Sequence, residues 1–258
     1  MAGWKNAVKN KIMGSIVEES LRQKIDSLYS AAEDETEERY GLHASAIIAS
    51  EDKYCLREQV LSLFFRQNQG EQLPVSLRKI FRHGNTIHEE VYSVFRKSGV
   101  LVRNEETIFV PEYDLNYTVD AIVDLMGKRW ICDVKSMNSF AFDKARSHPS
   151  GEKQVMFYEW LEKNKNGFVL AYNKNTSDIK IFQVKYDKEK VRPFVDRLHE
   201  IQSWKQTYLE NGTLPPKKCS KEDCKRASTC NMRDACWKVG KGRVKLGKEN
   251  GTRYNLEK

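Results

Sequence analysis

The stretch YTVDAIVDLMGKRWICDVKSM carries Asp120, Asp133 and Lys135 in a pattern suited to chemistry at phosphorus. Read as two β-strands joined at Met126-Gly127-Lys128, it places Ile131, Asp133 and Lys135 on one face of the second strand and Trp130, Cys132 and Val134 on the other, because strand side chains alternate. In the first strand Val119, Ala121, Val123 and Leu125 form the apolar face, and Asp120, Ile122 and Asp124 lie opposite. A two-residue loop at Met126-Gly127 sets Asp120 across from Asp133; a loop one residue later sets it across from Lys135. Either register gathers both aspartates and the lysine on one face, with directly opposed Cβ atoms roughly 4.5–5.5 Å apart. Carboxylates that close repel unless a cation sits between them, and an oxygen-rich site suits Mg²⁺ or Mn²⁺. Lys135 could then hold a phosphate oxygen or lower the pKa of an attacking water, while the ion polarises that water and stabilises charge on phosphorus.

The cysteines carry a second chemistry. KKCSKEDCKRASTCNMRDACW spaces Cys219, Cys224, Cys230 and Cys236 as C-x4-C-x5-C-x5-C. Thiolates this dense in a reducing compartment read as metal ligands rather than disulfides. Zinc sites favour tight C-x2-C pairs, and none occurs here; iron–sulfur spacing is looser and often includes a remote ligand. A Zn²⁺ ion on the four C-terminal cysteines is the alternative. Cys132 alternates away from Asp133 into the apolar face and reads as a buried core thiol.

The elements that must position these groups follow from periodicity. His43–Phe65 and Val75–Lys97 carry apolar residues at helical spacing. Leu101–Val110, Tyr117–Leu125 and Arg129–Ser136 are short runs rich in Val, Ile, Tyr and Trp and read as strands. A helix is expected from about Glu152 to Lys163, strands at GFVLAYN and IKIFQVKY, and a helix over Val191–Glu210. SFAFDKARSHPSGEK reads as a loop over the site or a solvated linker. This order predicts an α/β fold with a central mixed β-sheet flanked by helices. Residues 1–42 read as a helical lead-in, 43–236 as the functional domain and 237–258 as a basic, disordered tail.

The 258 residues carry a formal net charge of +8 and 40% hydrophobic residues, with a pI near 9.0. Such a chain can bury a core without disulfides, and its basic balance favours an anionic partner. No apolar run approaches the roughly 18 residues a membrane span needs. The start, MAGWKNAVKNKIMGSIVEES, lacks the apolar core of a secretory signal, so an intracellular, cytoplasmic setting is expected.

In motif order the chain resembles the RecB-like branch of the PD-(D/E)XK nucleases. GNTIH gives His88, TVD gives Asp120, Asp133-Val134-Lys135 gives D-x-K, and Gln154 to Tyr158 gives Q-x-x-x-Y. The resemblance implies a restriction-endonuclease-like core in which His88, Asp120, Asp133 and the Val134 carbonyl bind the metal. Lys135 is then the catalytic lysine, and Gln154 and Tyr158, sharing a helix face, position the lysine, the water or the DNA backbone. Glu105 and Glu106 are weaker candidate ligands, as are His83 and His148; Asp124 is expected to be structural. The family often has glycine where this chain has Tyr117.

The resemblance further implies a [4Fe–4S] cluster on Cys55, Cys230, Cys236 and one of Cys224 or Cys219, clasping the two ends of the chain. It implies metal-dependent hydrolysis of single-stranded DNA or DNA ends, in recombination, replication or CRISPR-like adaptation, with a recombination or replication protein as possible partner and a bacterial, archaeal or viral source. Lys128, Arg129, Lys144, Arg146 and Lys153 would meet phosphates, and Phe140, Phe142 and Tyr158 would stack on bases. The rival is a non-catalytic nucleic-acid-binding or assembly module that keeps the fold.

Overall fold

The computed structural model describes residues 19–27, 41–65 and 75–240. The chain divides into two compact units, Met1–Glu37 with Glu71–His83, and Glu38–Gly70 with Gly84–Lys258. In the first unit, the described residues are a helix, α1 (19–27), and the opening turns of α4 (Val75–Lys97). Lys79 Nζ meets Asp26 Oδ1 at 2.6 Å there. Of the disordered tail expected over 237–258, residues 237–240 instead end a helix, Arg233–Gly240, and the remainder lies outside the described residues.

The second unit is mixed α/β. Its main sheet has the order β2 (Leu101–Asn104), β5 (Ala121–Leu125), β6 (Lys128–Met137), β7 (Asn166–Asn173) and β8 (Ile179–Lys185). β6 and β7 are parallel and the other neighbours antiparallel. A smaller sheet sets β4 (Leu115–Thr118) between β1 (Leu42–His43) and β3 (Thr107–Val110).

Both faces of the main sheet are covered. On one side α6 (Pro149–Leu161) and α7 (Lys188–Asn211) bring Val155, Phe157, Phe194 and Leu198 against Ile122, Ile131 and Val169. On the other, Ile87, Val91 and Tyr92 of α4 pack on Ala121, Val123, Cys132, Val134 and Leu170. This explains why β7 reads as a nearly continuous apolar run, GFVLAY, as a central strand with two covered faces should. Cys132 is fully buried, as its alternation predicts.

The hairpin carrying the aspartates closes through two residues, Leu125 pairing with Lys128. Met126 and Gly127 adopt φ of 55° and 70°, the left-handed pair whose twist matches the flanking strands. Of the two registers open to the sequence, the structure takes the first: Ala121 pairs with Cys132, so Asp120 faces Asp133 one step beyond the ladder.

Two expected strands are each cut in two. Leu101–Val110 splits into β2 and β3, and Tyr117–Leu125 into β4 and β5, with the halves in different sheets. Glu105 has φ 47°, and its N–H bridges the carbonyls of Val119 (3.1 Å) and Asp120 (3.2 Å). The bend lifts Asp120 out of the ladder. The expected helix over 43–65 is also interrupted, becoming β1, α2 (Ala44–Ile47) and α3 (Leu56–Ser62). A turn at Ser50, whose carbonyl accepts from Lys53 and Tyr54, replaces the missing helical bonds. Arg197 of α7 draws the carbonyls of Ile47 (2.6 Å) and Ala49 (2.7 Å) outward. The segment read as a loop holds a short helix, α5 (Ser139–Lys144), capped by Asn138.

Candidate active site

The bend at Asp120 and helix α4 both reach Val134, within β6. Its N–H donates to Asp120 Oδ2 at 2.7 Å, and its carbonyl oxygen lies 3.1 Å from His88 Nε2 of α4. Next to it Asp133 is 1% exposed. Lys135 Nζ contacts Asp133 Oδ1 at 2.6 Å, while Oδ2 is buried with no hydrogen-bond partner among the described residues. Burial raises the Asp133 pKa to about 7; the Lys135 ammonium opposes the rise and the Asp120 carboxylate adds to it. A buried carboxylate with an orphaned oxygen costs free energy unless a cation or proton satisfies it.

The approach of α6 is tight. His148 caps the helix, its Nδ1 accepting from Gly151 N–H at 3.1 Å. Glu152 reaches back to the His148 N–H at 2.9 Å, completing a reciprocal cap. A Cβ on residue 151 would fall 2.8 Å from Asp133 Oδ2, so only glycine lets the helix start this close to the carboxylate. His148 is therefore the helix cap beside the site, its pKa lowered by burial and then by the Lys135 charge.

Further along α6, Gln154 Nε2 donates to Tyr158 Oη at 3.0 Å. Burial lifts the Tyr158 pKa well above the ordinary phenol range; the Gln154 bond opposes that rise, and the charges of Asp120 and Asp133 add to it. Its hydroxyl therefore stays protonated at neutral pH and can donate but not act as a base. Tyr117 is 5% exposed. Its ring lies 5.9 Å from that of Tyr158, and its hydroxyl donates to Glu162 at 2.8 Å. There it packs α6 against β4.

Three further residues belong to this constellation. Tyr92, fully buried, lies 3.0 Å from His88 Nδ1 and donates to Glu105 Oε1 at 3.1 Å. Gly151 provides the close approach just described. Tyr92 could have been found in the sequence, since it follows His88 by four residues on one helix; Glu105 was only a weak candidate, and Gly151 carries no sequence signal. Glu106 is exposed, and Asp124 pairs with Arg129 at 3.2 Å at the turn, apart from the site. His83 falls in the first unit. Among the aromatics expected to stack on bases, Phe142 is 5% and Tyr158 3% exposed, so both are core residues; Phe140 is exposed.

The donors suit a hard divalent cation: one carboxylate with a vacant buried oxygen, a second carboxylate, a carbonyl and an imidazole nitrogen. Among the described residues no three His, Cys, Asp or Glu side chains are grouped so as to hold a metal ion. The counter-charge on Asp133 is the Lys135 ammonium.

Apart from Cys132 in β6, the cysteines lie at the start of α3 and over 219–236. All six are free thiols. Cys55 lies within electrostatic range of both Cys219 and Cys230, and Cys230 of Cys236. Burial raises Cys219 to about 11 and Cys230 to about 12. Cys224 is lowered, chiefly by the Ala227 N–H at the start of α8 (Lys225–Ser228). Arg57 Nε donates to Cys236 Sγ at 3.2 Å. The two chain segments are held by other means as well. Arg226 donates to the carbonyls of Asp52, Lys53 and Tyr54, and Lys218 to that of Tyr54 at 2.9 Å. Leu61 and Phe65 pack on Met232 and Ala235.

No protein-family model matches the chain, and no curated protein matches it. Among solved structures it is similar to LHK-Exo in complex with dAMP, at 12% identity and TM-score 0.49 over 66% of this chain and 90% of that one. It is similar to the alkaline exonuclease (LHK-Exo) from Laribacter hongkongensis, at 15% identity and TM-score 0.41 over 66% and 94%. A phage-related exonuclease from Haemophilus somnus matches at 15% identity and TM-score 0.43 over 67% and 96%. Among the described residues no helix is long and apolar enough to cross a membrane.

Proposed function

We propose that this chain is a metal-dependent deoxyribonuclease that hydrolyses phosphodiester bonds, acting on single-stranded DNA or DNA ends as an exonuclease. The observation that carries the reading is Asp133: a buried carboxylate with one oxygen on Lys135, the other without a partner, and Asp120 beside it. His88, Asp120, Asp133 and the Val134 carbonyl would hold Mg²⁺ or Mn²⁺. When bound, such an ion supplies Lewis acidity toward water and the phosphate. Lys135 stabilises the negative charge that develops on the phosphate oxygens and orients the attacking water. Tyr158, with its oxygen held by Gln154, keeps the wall of the site fixed. Exposed Lys144, Arg146 and Lys153 would neutralise the DNA backbone.

The same reading assigns residues 43–236 to the nuclease domain, between the 1–42 lead-in and the basic 237–258 tail, in an intracellular protein of recombination, replication or CRISPR-like adaptation. It places a [4Fe–4S] cluster on Cys55, Cys230, Cys236 and Cys224, or Cys219 in place of Cys224. The support is that a thiol from the first third of the chain lies within electrostatic range of two in its last forty residues. The cluster's role would be structural, since hydrolysis needs no electron transfer.

End-labelled single- and double-stranded DNA, incubated with Mg²⁺ or Mn²⁺, tests the activity. The unmutated protein should shorten the strand, and Asp133→Asn and Lys135→Met should each lose roughly 100-fold or more. No cleavage of any DNA form by the unmutated protein would leave a non-catalytic nucleic-acid-binding module. Anaerobically purified protein should be brown and contain iron and sulfide; colourless protein with stoichiometric zinc would replace the cluster with Zn²⁺.

A further inference from the structure

Proton counting around His88 leads to an assignment that rests on the nuclease reading and deepens it. Three side chains form a line: His88 Nδ1 lies 3.0 Å from Tyr92 Oη, and Tyr92 Oη lies 3.1 Å from Glu105 Oε1. At the other end of the ring, Nε2 faces the Val134 carbonyl oxygen at 3.1 Å. A carboxylate and a carbonyl only accept hydrogen bonds, a phenol has one hydrogen to give, and a neutral imidazole has one. Three contacts therefore share two hydrogens, and one contact must go without.

Glu105 decides which. Hydrogen bonds to an ionised acceptor are roughly twice as strong as neutral ones, so the Tyr92 hydrogen goes to Glu105. Tyr92 Oη can then only accept from His88, and it does so when the ring hydrogen is on Nδ1. The opposite arrangement, with Nε2–H on Val134, would turn the bare Nδ1 lone pair toward the Tyr92 oxygen and toward the Glu105 carboxylate oxygen 3.5 Å away, so the negative charge of Glu105 favours Nδ1–H. The contact left without a hydrogen is thus Nε2 to Val134 O, two lone pairs at hydrogen-bond distance. That contact becomes favourable when a cation lies between them.

We infer that Tyr92 and Glu105 are positioning residues that hold His88 in its Nδ1–H tautomer, so that Nε2 presents a lone pair alongside the Val134 carbonyl. Neither touches the reacting atoms. Tyr92 is enclosed by the core cluster of α4 and β5, which fixes its ring and hence the direction of its hydroxyl. Glu105 is held at the bend by its own backbone bonds to Val119 and Asp120. The device thus links the helix histidine to the kink that displaces Asp120.

The test is ¹⁵N NMR of histidine-labelled, chelator-treated protein at roughly pH 8.5, where an ordinary histidine is neutral. His88 is assigned by its loss in His88→Ala. In the unmutated protein the Nδ1 signal should be of the protonated type and the Nε2 signal of the bare type. Tyr92→Phe removes the relay, and Glu105→Ala, at a half-exposed position, frees the Tyr92 hydrogen to turn to Nδ1. Both should shift His88 toward Nε2–H and weaken Mn²⁺ binding roughly 10- to 100-fold. An Nε2–H tautomer in the unmutated protein, or an unchanged tautomer in folded Glu105→Ala, would overturn the assignment. If the tautomers behave as stated but the unmutated protein neither binds Mn²⁺ nor cuts DNA, the relay stands and the nuclease reading fails.

Discussion

Asp120 reaches across the open end of the hairpin to accept the Val134 N–H at 2.7 Å, so one of its oxygens is engaged by β6 itself. The other is the one available to a cation. Asp120→Asn keeps the shape and an acceptor oxygen but removes the charge. The expected outcome is a folded protein, by circular dichroism and thermal melting within about 1 kcal/mol of the parent, with DNA cleavage down by roughly 100-fold or more. A variant that cleaves at the parental rate would remove Asp120 from the site.

Asp133→Asn should separate function from stability. In the folded chain burial raises this carboxyl from the ordinary 3.8 to about 7. A raised carboxyl favours the folded state below its unfolded pKa, and that contribution is lost as pH climbs toward the folded value. The chelated parent should therefore lose stability between about pH 4 and pH 7 from this group. Asparagine does not titrate, and Lys135, 27% exposed, can turn to water. We expect Asp133→Asn to be more stable than the metal-free parent by about 1–3 kcal/mol at pH 8 and nearly equal at pH 4, while cleavage is abolished. Urea denaturation at the two pH values measures it.

The sequence made the hairpin legible because three independent signals agreed: alternation in Trp130–Lys135, a Gly at the turn, and an apolar partner strand. α4 was legible for the same reason, its apolar spacing running unbroken through Val91. The bend at Glu105 and Asp120 was not, because positive φ at a glutamate leaves no mark in composition; it arises from the demand that β3 and β4 join a different sheet. The break after Ile47 was hidden by apolar residues that stay in phase across it, while the carbonyls freed there are satisfied by Arg197, roughly 150 residues away in sequence. Of the candidate site, the charged residues could be named from their order. Their neutral supports could not, since Tyr92 and Gly151 acquire their roles only through distances.

The turn offers a stability prediction independent of function. Met126 is 94% exposed and holds φ 55°, a conformation that costs an ordinary side chain free energy. Asparagine tolerates it and is the favoured partner of Gly in this turn. Met126→Asn should raise the unfolding free energy by about 0.5–1 kcal/mol, seen as a higher urea midpoint at unchanged slope. A lower midpoint would mean that the turn does not take this geometry.

Glu159 sits on α6 one residue beyond Tyr158 and is 1% exposed, and among the described residues neither carboxyl oxygen has a hydrogen-bond partner. Burial alone raises its pKa from 4.5 to about 7. Gly167 of β7 leaves it room, since a Cβ there would fall 2.8 Å from Oε1. Below about pH 4.5 the group is neutral in both folded and unfolded chains and has no net effect. Between about pH 4.5 and pH 7 the unfolded chain ionises it and the folded chain does not, so stability falls as pH rises and the full loss is reached above about pH 7. Methionine has a similar reach and nothing to ionise. Glu159→Met should therefore unfold about 2 kcal/mol later than the parent at pH 8, with a smaller gain at pH 4.5. Because the side chain points into the β7 packing rather than toward Asp133, cleavage should change less than threefold at pH 8 on the order of the scatter expected for remote substitutions. Thermal melts at the two pH values, with the cleavage rate beside them, decide it: a gain that does not grow with pH would mean that Glu159 is already ionised and paired in the folded protein.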